Sequence, residues 1–151
     1  MDFIRAIDVI IHDKAWIPND GILPVGVKIL HIFGRISCGN FKLIDCEVEG
    51  YLEIPEHMLG NDEYFVLKAS GDSMIEAGIN DGDLVIVQKN TVPEDGDIAV
   101  VMMGEEVTLK KFFRLPKENK YLLKPENKTY KDIVVDKCNI IGIAIKIIKN
   151  I

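Results

Sequence analysis

The stretch FVLKASGDSMIEAGINDGDLVIVQ, residues 65–88, carries the pattern that decides the fold class. Two apolar runs typical of short strands, Tyr64–Ser70 and Leu84–Gln88, flank a segment rich in Gly, Asp and Asn. The second run follows the turn-forming tripeptide Asp-Gly-Asp at 81–83. Between the runs, only Met74–Gly78 indicates a helical turn. The stretch therefore predicts two strands joined by tight turns.

Outward from this stretch the same pattern continues, with short runs rich in Val, Ile, Tyr and Phe between turn-forming residues. Gly104-Glu105 separates two of the runs closely enough for a hairpin, and Pro55–Gly60 indicates one more helical turn. We expect a mostly β fold, a compact domain of short, twisted strands with few short helical turns. The further strands predicted are Gly50–Ile54, Ile98–Met103, Glu106–Phe113, Tyr121–Lys124, Asp132–Val135 and Ile140–Ile148.

The first 33 residues give the least decisive pattern. Phe3–Ile11 fits either a strand or a short helix, and proline, asparagine and glycine residues punctuate the stretch 18–24. We therefore predict an N-terminal arm or linker over 1–33 and one compact domain over 34–151. The segment GRISCGN at 34–40 is small and polar, which is typical of an exposed loop.

Composition and charge exclude several classes of protein. The 151 residues carry a formal net charge of −6, the wrong sign for binding nucleic acid through its phosphates. The longest apolar stretches are too short to cross a membrane, and the N-terminus lacks a signal-like cleavage site. The three cysteines lack metal-ligand spacing, and their odd number indicates reduced thiols. We expect a cytoplasmic protein that binds neither DNA nor a membrane.

The three histidines do not indicate a catalytic or metal-binding role. His12, His31 and His57 lie outside any recognisable nucleophile or metal motif. We therefore predict no metal site, no cofactor and no Ser-His-Asp arrangement.

Ser73 lies where an apolar strand ends and a short helical turn begins. A serine at such a point presents its hydroxyl beside backbone N–H groups that converge on one spot, as an oxyanion hole requires. Serine before a helical turn is more often an N-cap, however. Position alone favours the cap.

Lys110 is a second candidate. Strand alternation puts Thr108, Lys110 and Phe112 on one face. A lysine desolvated there has a lowered pKa, and its neutral amine is able to accept a serine proton while Thr108 holds it. The alternative is a solvated lysine pair, Lys110 with Lys111, on an edge strand. Alternation alone leaves both interpretations open.

Together with GDIAVV at 96–101 and EEVTLKKF at 105–112, the opening stretch resembles the catalytic domain of the LexA/UmuD family. These are self-cleaving serine peptidases of the bacterial SOS response to DNA damage, and the resemblance runs from about Ile32 to Asn150. It implies that Ser73 is the nucleophile and Lys110 its base. It also implies that Thr108 orients the lysine, and that backbone N–H groups around Asp72 and Ser73 form the oxyanion hole.

The resemblance also implies a substrate and partners. The bond that family members cut corresponds to Cys38–Gly39, and Ile36 fits an apolar subsite. Small residues there suit a loop that folds into a narrow cleft. The implied co-activator is the activated RecA filament on single-stranded DNA. The run Ile140–Ile148 is too apolar for a free edge and is predicted to be buried core, and the resemblance implies in addition a homodimer formed by pairing of such strands.

The resemblance leaves the subfamily open. A full LexA repressor has a winged helix-turn-helix domain before this region, and Arg5–Val9 resembles only the end of it. EGYLEIPEHMLG at 49–60 favours a LexA-like chain, whereas the total length and the Cys-Gly bond favour a UmuD-like polymerase subunit. Two other classes remain, namely a non-catalytic dimerisation module and a signal-peptidase-like enzyme that acts on other chains. None of these interpretations predicts operator binding by this chain alone.

Overall fold

The structure is a computed structural model that describes residues 8–12, 26–34 and 47–150. The described residues confirm a mostly β fold, with two single-turn 3₁₀ helices at Glu56–Met58 and Ile75–Ala77. The strands are β1 (Asp8–His12), β2 (Val27–Phe33), β3 (Val48–Pro55), β4 (Tyr64–Lys68), β5 (Leu84–Lys89), β6 (Ile98–Met103), β7 (Glu106–Leu115), β8 (Lys120–Lys124), β9 (Ile133–Val135) and β10 (Asn139–Asn150).

All ten strands belong to one mixed sheet, in the order β3-β2-β4-β5-β10-β6-β7-β8-β9, with β1 paired beside β10. The long β10 lies in the middle of the sheet. One of its edges pairs with β5, and the other pairs first with β6 and then, in parallel, with β1. Gly142 permits the close approach to β5, because a Cβ there would lie 2.2 Å from the Gln88 carbonyl oxygen.

Strand β2 departs from the predicted division of the chain. Residues 27–33 were assigned to the arm, but they pair with β3 along their whole length and with β4 at Ile32 and Phe33. Leu30 and Phe33 are buried in the core. The arm interpretation was wrong for this segment because turn-forming residues before it concealed a strand that long-range pairing stabilises. Residues 1–7 and 13–25 lie outside the described part of the chain.

The β6–β7 hairpin positions the candidate lysine. Its turn includes Gly104, whose φ of 65° is the left-handed conformation that glycine adopts without strain. The register places Lys110 directly opposite Ala99, which is fully buried. Apolar clusters lie on both sides of β7, one containing Leu109 and the other Phe112. A side chain in the middle of this strand is therefore removed from water on either face.

Candidate active site

The turn that carries Ser73 is fixed by the predicted Asp-Gly-Asp segment. The Ala69 N–H donates to the Asp83 carbonyl oxygen at 2.8 Å, so the end of β4 is held beside the start of β5. The Gly71 N–H donates to Oδ1 of Asp81, also at 2.8 Å. These two hydrogen bonds hold the chain just before Ser73 against the segment that leads into β5.

Ser73 does not act as a helix cap. The N-cap of the 3₁₀ turn Ile75–Ala77 is Met74, and no side chain caps that turn by a hydrogen bond. The N-cap interpretation, which position alone favoured, is therefore wrong. The half-buried Ser73 side chain instead lines a small cavity.

Lys110 is buried, with 7% of its surface exposed. Its Nζ donates to Thr108 Oγ1 at 2.8 Å and to the Leu109 carbonyl oxygen at 3.1 Å. Within the described residues it has no carboxylate partner, and burial lowers the pKa of its amine from the ordinary value. Since β7 lies between β6 and β8, the interpretation of Lys110 as a solvated residue of an edge strand is wrong.

The hydrogen bonds of Lys110 match the neutral amine better than the ammonium ion. A neutral amine has two N–H groups and one lone pair, whereas an ammonium has three donors and none. Thr108 and the Leu109 carbonyl accept two hydrogen bonds. They satisfy the neutral amine completely and leave its lone pair for an incoming proton. In the ammonium form, the same surroundings leave one buried donor without an acceptor among the described residues.

One cavity joins the serine to the lysine's partner. Ser73, Thr108 and Gly34 all line it, and its volume is about 70 Å³. That volume is well below the roughly 300–1,000 Å³ typical of small-molecule sites. No hydrogen bond joins Ser73 directly to Lys110 within the described residues. The two are related through the cavity, because Ser73 lines it together with Thr108, the hydrogen-bond partner of Lys110.

The predicted cleavage loop meets this cavity at its border. Gly34, which lines the cavity, is the last described residue before the segment 35–46. The predicted cleavage-site residues Cys38 and Gly39, and the predicted subsite residue Ile36, lie outside the described residues.

Sequence reasoning did not identify the segment that holds the Ser73 turn from the other side. Nδ2 of Asn127 donates to the Asp72 carbonyl oxygen at 2.8 Å, and Oη of Tyr130 donates to Oδ1 of Asp72 at 2.5 Å. The Glu76 N–H donates to the Glu126 carbonyl oxygen at 2.8 Å. Periodic patterns do not relate residues more than fifty positions apart, so they gave no signal for these contacts. The only earlier signal was that LLKPENKTY at 122–130 shared the family resemblance.

The described residues contain no group of three or more His, Cys, Asp or Glu side chains arranged to hold a metal ion. None of the helices in the described ranges is long and apolar enough to cross a membrane.

Comparison with known proteins adds to this geometry. The family model for Peptidase S24-like proteins matches residues 31–145. The chain is 43% identical over 113 residues to the LexA repressor of Clostridium perfringens, covering 74% of this chain and 54% of that protein. It is 42% identical to the LexA repressors of Clostridium acetobutylicum over 112 residues and Clostridium botulinum over 113 residues, covering 74% of this chain and 54% and 55% of those proteins. The chain therefore spans about half the length of these relatives.

Proposed function

Because the chain belongs to the Peptidase S24-like family, we propose that it is a serine endopeptidase that cuts its own Cys38–Gly39 bond. Ser73 is the nucleophile and Lys110 the general base. One observation carries the proposal: a buried lysine without a carboxylate partner among the described residues is bonded to Thr108, which lines the same cavity as Ser73. This combination is typical of a lysine that accepts a serine proton.

The reaction is an intramolecular acyl transfer. Neutral Lys110 takes the proton of the Ser73 hydroxyl, and Oγ attacks the carbonyl carbon of Cys38. The resulting oxyanion accepts hydrogen bonds from backbone N–H groups around Asp72 and Ser73. When the intermediate collapses, the Lys110 ammonium protonates the departing amine of Gly39. Water then hydrolyses the ester with Lys110 again as base, giving residues 1–38 and 39–151.

The short tether between the cavity and the proposed bond supports a reaction within one chain. Gly34 lines the cavity, and Cys38 follows it by only four residues. Four extended residues span at most about 14 Å, so the tether holds the bond close to Ser73. This proximity replaces much of the binding energy that a separate substrate requires.

The proposed biological setting is the SOS response, in which the activated RecA filament on single-stranded DNA favours the docked state of the cleavage loop. The named relatives are LexA repressors, which favours a repressor-type role over that of a UmuD-like polymerase subunit. A homodimer and a cytoplasmic location are part of the same proposal. Sedimentation equilibrium of the purified chain tests the dimer.

The proposal is tested by incubating purified protein at mildly alkaline pH and measuring fragment masses. Wild-type protein is expected to give the two masses of cleavage after Cys38, while Ser73→Ala and Lys110→Ala remain whole. A contaminating protease is excluded by adding Ser73→Ala protein as a substrate to the same preparation. Cleavage of the Ser73→Ala protein at the wild-type rate would defeat the assignment of the nucleophile.

A further inference from the structure

Asn127 lies three residues after the end of β8 and has been given no role in the chemistry so far. It is buried, with 7% of its surface exposed, which is rare for an asparagine unless its amide is fully bonded. Its position in the chain, 54 residues after Ser73, gave no indication of a role.

The hydrogen bonds of Asn127 fix which way its amide points. Oδ1 accepts from the Thr129 N–H at 3.0 Å and from the Thr129 hydroxyl at 2.8 Å. Because a backbone N–H only donates, the atom facing Thr129 must be the oxygen. Nδ2 is therefore the atom that faces the Asp72 carbonyl, to which it donates at 2.8 Å. The bond is directional and does not survive an amide flip.

The carbonyl that Asn127 holds belongs to the peptide unit whose other end is the Ser73 N–H. In a planar trans peptide the C=O and the N–H point in opposite directions, so fixing one fixes the other. The Asp72 carbonyl also accepts a weaker bond from the Ile75 N–H at 3.3 Å. Within the described residues the Ser73 N–H takes part in no hydrogen bond, so it remains available as a donor.

We propose that Asn127 is a positioning residue that aims the Ser73 N–H into the cavity as an oxyanion-hole donor. This inference depends on the proposed self-cleavage. The side chain does not touch the reacting atoms, and it acts by holding the Asp72–Ser73 peptide plane. An oxyanion donor is effective only when it is fixed in direction before charge develops.

The test compares Asn127→Asp with Asn127→Ala by the rate of self-cleavage across the alkaline pH range. Asn127→Asp keeps the acceptor for Thr129 and replaces only the group that donates to Asp72. Both variants are expected to lose about 10–100-fold in rate, somewhat less than complete removal of an oxyanion donor. In Asn127→Ala, which adds no charge, the apparent pKa of the rate profile should stay at its wild-type value, because burial of Lys110 on β7 is untouched.

Tyr130→Phe is the matched control. It removes a hydrogen bond to the same residue, but on the exposed Asp72 carboxylate instead of the carbonyl. Its rate should stay within about twofold of wild type, since the peptide plane keeps its bond to Asn127. An equal loss of rate in Tyr130→Phe and Asn127→Asp would mean that any hydrogen bond to Asp72 stabilises the turn equally well. That result would overturn the inference.

Three further outcomes separate this inference from the proposed function. If wild-type protein cleaves and both Asn127 variants cleave at the wild-type rate while remaining folded by circular dichroism, the positioning role is wrong and the proposed function stands. The role is equally wrong if the loss in Asn127→Ala is accompanied by a shift of the apparent pKa toward the ordinary lysine value, because the effect then runs through Lys110. If wild-type protein neither cleaves nor reacts at Ser73 with a fluorophosphonate, both proposals fail.

Discussion

The adjacent lysines Lys110 and Lys111 lie on opposite faces of β7 and have different surroundings. Lys110 is buried beside Thr108 and has no carboxylate partner among the described residues. The Lys111 side chain is almost as enclosed, with 13% exposed, but its Nζ lies 2.8 Å from Oε1 of Glu126. That contact is an ion pair without a hydrogen bond, because Oε1 accepts none within the described residues.

The comparison shows that burial alone does not make a lysine a base. Lys111 has the Glu126 carboxylate as a counter-charge. Among the described residues the amine of Lys110 bonds to two neutral oxygen atoms, and desolvation by burial lowers its pKa. A one-residue shift along a strand would exchange the two environments, so the side-chain alternation of β7 places Lys110, the proposed base, in the uncharged one.

The largest expected effect separates the two lysines by activity. Lys110→Met removes the proposed base and should lower the rate of self-cleavage by about 10²–10⁴-fold. Lys111→Met leaves the base in place and should stay within about fivefold of wild type, because its charge is already paired with Glu126. Fragment formation at mildly alkaline pH, followed by mass spectrometry, measures both. Equal losses of self-cleavage rate in the two variants would contradict the assignment of different roles to the two lysines.

The second prediction concerns stability, for which Lys111 is expected to matter more than Lys110. In a Ser73→Ala background, Lys111→Met should lower the free energy of unfolding by about 1–3 kcal/mol, because it leaves the enclosed Glu126 carboxylate without its partner. Lys110→Met should not lower it, since methionine suits the apolar surroundings of that position better than an amine. Urea denaturation of the three proteins provides the measurement. A loss of stability only in Lys110→Met is the result that this account does not allow.

The third prediction concerns Thr108, which lies on the same face of β7 as Lys110. The substitution Thr108→Val removes the acceptor that holds Nζ of Lys110 and leaves a side chain of similar size. We expect the rate of self-cleavage to fall about tenfold, in line with the loss of one hydrogen bond. Thr91→Val is the control, because the one hydrogen bond of the Thr91 hydroxyl within the described ranges is to the nearby Lys89 carbonyl oxygen. A similar loss from Thr91→Val would indicate a general effect on the fold.

The smallest expected effect is on the pH dependence of stability. The folded chain binds the proton of Lys110 less tightly than the unfolded chain, in which the amine titrates near its ordinary pKa of 10.5. Between the two pKa values the unfolded state holds more protons, so raising the pH through this window stabilises the folded state. In a Ser73→Ala background, Lys110→Met should lose this gain when urea denaturation is repeated across the alkaline range. An identical pH dependence in both proteins contradicts a lowered pKa.

Local signals predicted much of the sheet. The bounds of β6 agree with the sequence interpretation at both ends, and the hairpin after it turns at Gly104-Glu105. The hydrogen bond between Lys110 and Thr108 follows from the period of two along a strand. In each case the information lies within a few residues, where turn chemistry and alternation operate.

Long-range pairing accounts for the features that the sequence did not predict. Alternation placed Lys110 on a face but left its burial undecided, because that burial depends on apolar clusters assembled from strands far apart in the sequence. Strand β2 was missed because its stability comes from β3 and β4. Asn127 was missed because its partner, Asp72, lies 55 residues earlier in the chain. No local pattern encodes these contacts.

The most direct test of the catalytic assignment compares two pH titrations. One follows the rate of self-cleavage of wild-type protein upward from neutral pH. The other follows the Lys110 amine by NMR in Ser73→Ala protein. Neutral Lys110 acting as the base of Ser73 predicts that the rate rises with pH, and that both curves share a midpoint below the ordinary lysine pKa of 10.5. A rate that falls or stays flat as the pH is raised from neutral, or a Lys110 that titrates at its ordinary value, would contradict the assignment.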